Sequence, residues 1–116
     1  MVARKKDVPI QGNVYKASLD PVRGHEQRGY RPILVVSPEK YNRRAKFAII
    51  CPITSRAKGY PFEVPCENND VQGVILVDQV RALDWSVRTF EYMGTLSDAV
   101  CEEVRQKLIM LISRTP

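Results

Sequence analysis

Four groups of residues in this chain could do chemistry. The first fills one polar stretch, Gly24-His25-Glu26-Gln27-Arg28-Gly29-Tyr30-Arg31-Pro32. It holds the only histidine, a carboxylate, an amide and, with Arg23 just before it, three arginines. The second group is Thr54 with Lys58, the third Asp78-Gln79, and the fourth Arg81 with Arg88. An arginine fork grips phosphate oxygens with a permanent charge. A histidine or carboxylate shuttles protons, and a hydroxyl donates one hydrogen bond. Together these types favour acid–base work on an anionic substrate.

Cleavage of RNA through its own ribose 2′-hydroxyl needs such a set. The protein must help deprotonate the hydroxyl, offset charge on the pentavalent phosphate and protonate the departing 5′-oxygen. Preorganised cations and donors around the developing charge supply much of the acceleration. DNA lacks the hydroxyl, so the same site would bind it without cutting. Each residue also has a plain structural reading. Glu26 and Arg31 could form only a loop salt bridge, and His25 could be a capping or core residue. Thr54 could be an ordinary strand residue, and Asp78 and Gln79 could hold a turn. Lys58, Arg81 and Arg88 could be solvated charges. Trp85 and Tyr60 read as packed aromatics rather than stacking platforms for bases.

Other chemistries find no support in the sequence. There is no Walker motif, G-x-S-x-G or G-x-G-x-x-G. A single histidine and three scattered cysteines, Cys51, Cys66 and Cys101, supply no zinc pattern and no C-x-x-C. Neither a metal nor a cofactor is expected, and the cysteines read as reduced thiols in or near the core. No run approaches the length of a membrane span, and residues 1–9 lack a signal-peptide h-region. A cytoplasmic protein is therefore expected. Net charge of +5 with a pI near 9.3 favours nucleic acid or an acidic protein partner, modestly.

The elements that must position these groups follow from the apolar pattern. The 116 residues suit one domain, and 44% hydrophobic content argues against disorder. Residues 1–9 read as a frayed, flexible basic arm ahead of a single domain over 10–116. A first strand is expected over 12–19, then a loop of about a dozen residues, long for a hairpin and so a candidate functional loop. Buried strands follow at 33–37 and 47–54, the latter marked as edge or bulged by Pro52. A polar connection over 38–45 allows one helical turn, with Tyr41 able to pack. Another strand is expected over 60–65, with Phe62 and Val64 on one face and Glu63 on the other. Residues 67–70 are turn chemistry. Apolar residues 73–77 form a strand ending at Asp78-Gln79, Val80 and Leu83 continue as strand, and 88–92 forms a last one. A helix then begins at the N-cap Ser97, with a stripe of Val100, Val104, Leu108 and Leu111. Leu96 and Cys101 could staple its start. Ile109, Met110 and Ile112 are apolar beyond that stripe and leave a self-association face open. Many short strands closed by one helix indicate a mainly β fold, a small strongly bent sheet or barrel.

At these residues the chain resembles the MazF/PemK family of toxins from bacterial toxin–antitoxin pairs. The matching motifs are Leu19-Asp20-Pro21, Gly24-His25-Glu26-Gln27, Gly29, Arg31-Pro32 and Val35-Val36-Ser37-Pro38. Pro52-Ile53-Thr54, Lys58-Gly59-Tyr60-Pro61-Phe62-Glu63-Val64, Gly73-Val74, Asp78-Gln79-Val80 and Gly94 continue the match, from about 12 to 112. The resemblance implies a small SH3-like β-barrel with a C-terminal helix (the CcdB/PemK-like fold), working as a homodimer. It implies a metal-independent endoribonuclease cutting single-stranded RNA, mRNA included, to 2′,3′-cyclic phosphate and 5′-hydroxyl ends. It implies a MazE-like acidic antitoxin covering the RNA site, with DNA reached only through the antitoxin complex.

Roles carry over residue by residue. Arg31 is the first candidate for acid–base work and phosphate stabilisation, and Thr54 the second catalytic candidate. His25 and Asp78 match catalytic positions of the PemK-like branch. That branch has an arginine two positions before the aspartate, where this chain has Leu76, so His25 and Asp78 are assigned as support. Glu26, Gln27, Arg28, Lys58, Gln79, Arg81 and Arg88 are the RNA-binding candidates. Two rivals remain open: a CcdB-like gyrase-inhibiting toxin, and an RNA-binding module that no longer cuts. In the CcdB family a Trp-Gly-Ile terminus carries the inhibitory contact. The residues 113–116 here do not match it.

Overall fold

The structure, a computed structural model, describes residues 7–68 and 70–114. Two helices and seven strands are built from them: β1 (Asn13–Ser18), β2 (Tyr30–Val35), α1 (Glu39–Ala45), β3 (Phe47–Thr54), β4 (Glu63–Glu67), β5 (Gln72–Leu76), β6 (Arg81–Asp84), β7 (Glu91–Thr95) and α2 (Asp98–Ile112). A 3-10 turn, Val77–Gln79, joins β5 to β6. All pairings are antiparallel, in the order β4-β5-β3-β2-β1-β7, with β6 also on β3. The result is the expected mainly β fold, a curled sheet closed by a C-terminal helix.

β3 explains the curl. One edge pairs with β2 throughout its middle. Its other edge changes partner, taking β6 along Phe47–Ile50 and β5 at Ile53 and Thr54. Pro52 lies at the change, where a missing N–H costs no ladder bond. The expectation of an edge strand is thereby corrected, since Pro52 pairs with Ile33 in the centre of the sheet.

Two apolar clusters occupy the two faces. Val14, Leu34, Cys51 and Ile53 pack with Val104 of α2. Tyr15, Ile33, Ile50 and Trp85 pack on the other face. Strands buried on both faces read as unbroken apolar runs, which is why β2 and β3 stood out in the sequence. Helix α2 starts where Ser97 caps it, its Oγ accepting the Val100 N–H at 3.3 Å. Its stripe of Val100, Val104, Leu108 and Leu111 docks on the first cluster, and Leu96 and Cys101 border the same cluster. Burying Val104, 1% exposed, contributes about 1.5–3 kcal/mol. Val104→Asp would place an unpaired carboxylate there and undock the helix. Ile109, Met110 and Ile112 remain exposed.

Several expectations shift. The expected turn over 38–45 is a seven-residue helix, and Tyr41 is exposed. The strand expected over 60–65 starts only at Glu63, and Glu63, read as outward, is buried. Its carboxylate accepts the N–H groups of Lys58 and Gly59 at 3.0–3.1 Å, so burial leaves it well partnered. Tyr60 is 58% exposed rather than packed, while Trp85 is packed as expected. The strand expected over 88–92 lies at Glu91–Thr95 instead, because 85–90 turns and crosses the sheet. Of the basic arm, residues 1–6 lie outside the described residues. Pro9 is not frayed: it is buried, and its carbonyl accepts Nδ2 of the buried Asn42 at 2.9 Å. The Asn42 carbonyl in turn accepts the Trp85 indole N–H at 2.9 Å.

Candidate active site

The β2–β3 register relates the two principal candidates. The ladder runs from Val35↔Ile50 to Ile33↔Pro52 and stops beside Pro32, which has no N–H to extend it. Continued two residues further, the same register would set Arg31 opposite Thr54. Side chains alternate along a strand, so Arg31 falls on the face of Ile33 and Thr54 on that of Ile50.

Local bonds leave each group one free function. Arg31 donates Nε to the Arg28 carbonyl at 2.5 Å, which holds the stem and leaves the two terminal nitrogens of the fork. Thr54 is buried, and its Oγ accepts the Arg56 N–H at 3.2 Å. With a lone pair engaged, the hydroxyl proton has no acceptor among the described residues. A forked cation opposite a buried donor suits an oxyanion with two or more exposed oxygens.

A cleft of about 190 Å³ is lined by Glu26, Gln27, Pro52, Asp78, Gln79, Val80 and Arg81. Gln79 Oε1 accepts the Gln27 N–H at 2.8 Å and ties the loop to the 3-10 turn. Asp78 and Glu26 are exposed there. The loop salt bridge considered for Glu26 and Arg31 does not form; the ion pairs among the described residues lie on α1 and α2. Burial, and secondarily the Asp78 carboxylate, push the Cys51 thiol up to about 12 from its ordinary 9.0. Cys51 is therefore no nucleophile near neutral pH.

The other candidates are placed differently. His25 is exposed near the loop tip and makes no hydrogen bond or ion pair among the described residues, so it is neither a cap nor a core residue. Arg28 Nη2 bonds the Gly24 carbonyl at 2.8 Å, bracing the tip. Lys58 is exposed on the β3–β4 loop, whose backbone Glu63 holds. Arg81 Nη1 donates to the Leu19 carbonyl at 3.1 Å. Arg88 Nη1 donates to the carbonyls of Ser18 and Asp20, each at 3.0 Å, and lies on a separate surface cleft with Tyr30. Arg81 and Arg88 are thus not simply solvated charges.

Two supporting residues escaped the sequence reading. Gly73 lies so close to β3 that a Cβ there would stand 2.4 Å from the Thr54 carbonyl oxygen. A glycine opening an apolar strand is the signal that marks such an approach. Glu63 was hidden by a strand boundary placed too early. No cluster of three His, Cys, Asp or Glu side chains that could hold a metal occurs among the described residues. None of their helices is long and apolar enough to cross a membrane.

Comparison with known proteins identifies the family. Residues 10–112 match the family described as PemK-like, MazF-like toxin of type II toxin–antitoxin system. The chain is 36% identical over 105 residues to the endoribonuclease toxin MazF of Escherichia coli K12, spanning 90% of this chain and 95% of that protein. It superposes on MazF from Deinococcus radiodurans with a TM-score of 0.87 at 44% identity, covering 92% of this chain and 98% of the other. On the MazE–MazF complex from the same organism the TM-score is 0.82 at 43% identity, covering 95% and 100%. A family match across nearly the whole chain, with the same fold, leaves one conclusion: this chain belongs to the PemK-like, MazF-like toxin family of type II toxin–antitoxin systems.

Proposed function

We propose that this protein is an endoribonuclease toxin that cuts single-stranded RNA by attack of the ribose 2′-hydroxyl on the adjacent phosphate. Supporting the proposal is the β2–β3 register, which continued past Ile33↔Pro52 would set Arg31 opposite Thr54. The Arg31 fork neutralises the non-bridging oxygens as charge builds on the phosphorus. Thr54 donates its hydroxyl proton to one of them. The 2′-hydroxyl gives up its proton as its oxygen bonds to phosphorus, the bond from phosphorus to the 5′-oxygen breaks, that oxygen takes up a proton, and the products carry a 2′,3′-cyclic phosphate and a 5′-hydroxyl. His25 and Asp78 assist proton movement from the loop tip and the cleft wall. Glu26, Gln27, Arg28 and Lys58 bind or orient the strand, and the loops 21–30 and 55–60 set its sequence. The charge is carried by guanidinium, so no metal is required.

A relative crystallised with MazE supports an antitoxin partner for this chain. The basic charge of +5 suits an acidic extended segment covering the rim. We place the protein in the cytoplasm, as a homodimer that meets DNA only through the antitoxin complex. The test is incubation with a long defined RNA in EDTA. Discrete fragments with cyclic phosphate ends are expected, and an RNA left intact beside inhibited gyrase would favour the CcdB-like reading instead.

A further inference from the structure

The segment after β5 reaches back to the 19–29 loop with three side chains. Gln79 takes the Gln27 N–H, Arg81 donates to the Leu19 carbonyl, and Arg88 donates to the Ser18 and Asp20 carbonyls. On the loop side every one of these bonds falls on main-chain atoms. They therefore fix the path of the backbone and not any one side chain. The loop is closed at its foot by Leu19 N–H to the Gly29 carbonyl at 2.9 Å and by Gly29 N–H to Asp20 Oδ1 at 3.2 Å. Arg31 follows two residues later, and its Nε hangs from the Arg28 carbonyl of the same loop. Where the foot is held thus decides where the Arg31 fork points.

We propose that Arg81 and Arg88 are positioning residues for Arg31, acting through the loop backbone and not as ligands of RNA phosphates. The proposal rests on the endoribonuclease reading above. It separates these two arginines from Lys58, whose side chain makes no hydrogen bond or ion pair among the described residues.

Salt dependence distinguishes the two roles. Each phosphate contact on a single strand adds about 0.7 to the slope of log affinity against log salt. The probe is a short RNA carrying the cleavage site mapped on wild-type protein, with 2′-deoxyribose at the cut nucleotide. Arg81→Met and Arg88→Met should leave the slope at the wild-type value, whereas Lys58→Met lowers it by about 0.7. On the all-ribose RNA, Arg81→Met and Arg88→Met should lower kcat by up to about 100-fold through misplacement of Arg31, with KM little changed. Arg88→Lys, which keeps donors for the two carbonyls, should recover part of the loss. A melting curve checks folding, and if a Met variant does not fold, the Gln variant at that position, which keeps an N–H donor without the charge, is read for slope and kcat. A slope lowered by about 0.7 at Arg81 or Arg88, or a kcat left at the wild-type value, overturns the proposal. Absence of cleavage by the wild type refutes the endoribonuclease reading itself.

Discussion

Gly73 sits against the backbone of Thr54 so closely that no side chain fits between them. A Cβ at position 73 would lie 2.4 Å from the Thr54 oxygen, and the glycine holds φ at +144°. Both facts weigh on one substitution. Gly73→Ala must strain its own backbone and push β3 outward at Thr54. The expected cost is about 1–3 kcal/mol of stability. RNA cleavage should fall further than that destabilisation explains. Urea melts and cleavage rates on the same preparation check it.

Glu63 governs the loop that carries Lys58. Its buried carboxylate accepts N–H groups from Lys58 and Gly59. Glu63→Ala leaves both without that partner and should cost about 1–3 kcal/mol. Glu63→Gln keeps an acceptor oxygen and should cost less. Faster amide hydrogen exchange at Lys58 and Gly59, with α2 unaffected, is the expected signature.

The cysteines give a pH signature. Cys51 holds its proton in the fold up to about 12 against an ordinary 9.0. Above 9.0 the unfolded thiol ionises while the folded one cannot, so the unfolded state binds fewer protons. Stability present below 9.0 is therefore lost as pH rises from 9.0 toward 12. Cys51→Ala should flatten that decline in urea melts taken across the window. Burial also raises the thiols of Cys66 and Cys101. At pH 8 a thiol reagent should reach half-buried Cys101 before Cys51 in native protein.

Much of this arrangement was legible from residue types alone. Ser97 announced α2 because capping is local chemistry, and the stripe from Val100 to Leu111 followed from helical period. The runs in β2 and β3 were visible because both faces are buried. What escaped the reading depends on partners distant in sequence. Pro52 looked like an edge residue because nothing local reveals that β3 exchanges β6 for β5. Glu63 looked solvent-facing because strand alternation set it opposite Phe62 and Val64, and nothing local reveals that its carboxylate takes the N–H groups of Lys58 and Gly59 in the loop before it. The bonds of Arg81 and Arg88 to the carbonyls of Leu19, Ser18 and Asp20 went unforeseen because charge is visible in sequence, whereas the path of a distant backbone is not.

The pairing of Arg31 with Thr54 faces its most direct test in single-turnover cleavage of one defined RNA in EDTA. Wild type should cut, and folded Arg31→Ala should be slower by about 10²–10³-fold or more, the loss seen when a preorganised donor to a developing oxyanion is removed. Thr54→Ala should also be slowed strongly, and the double variant little further, because the two act on the same phosphate. A folded Arg31→Ala protein that cuts at the wild-type rate would contradict the assignment.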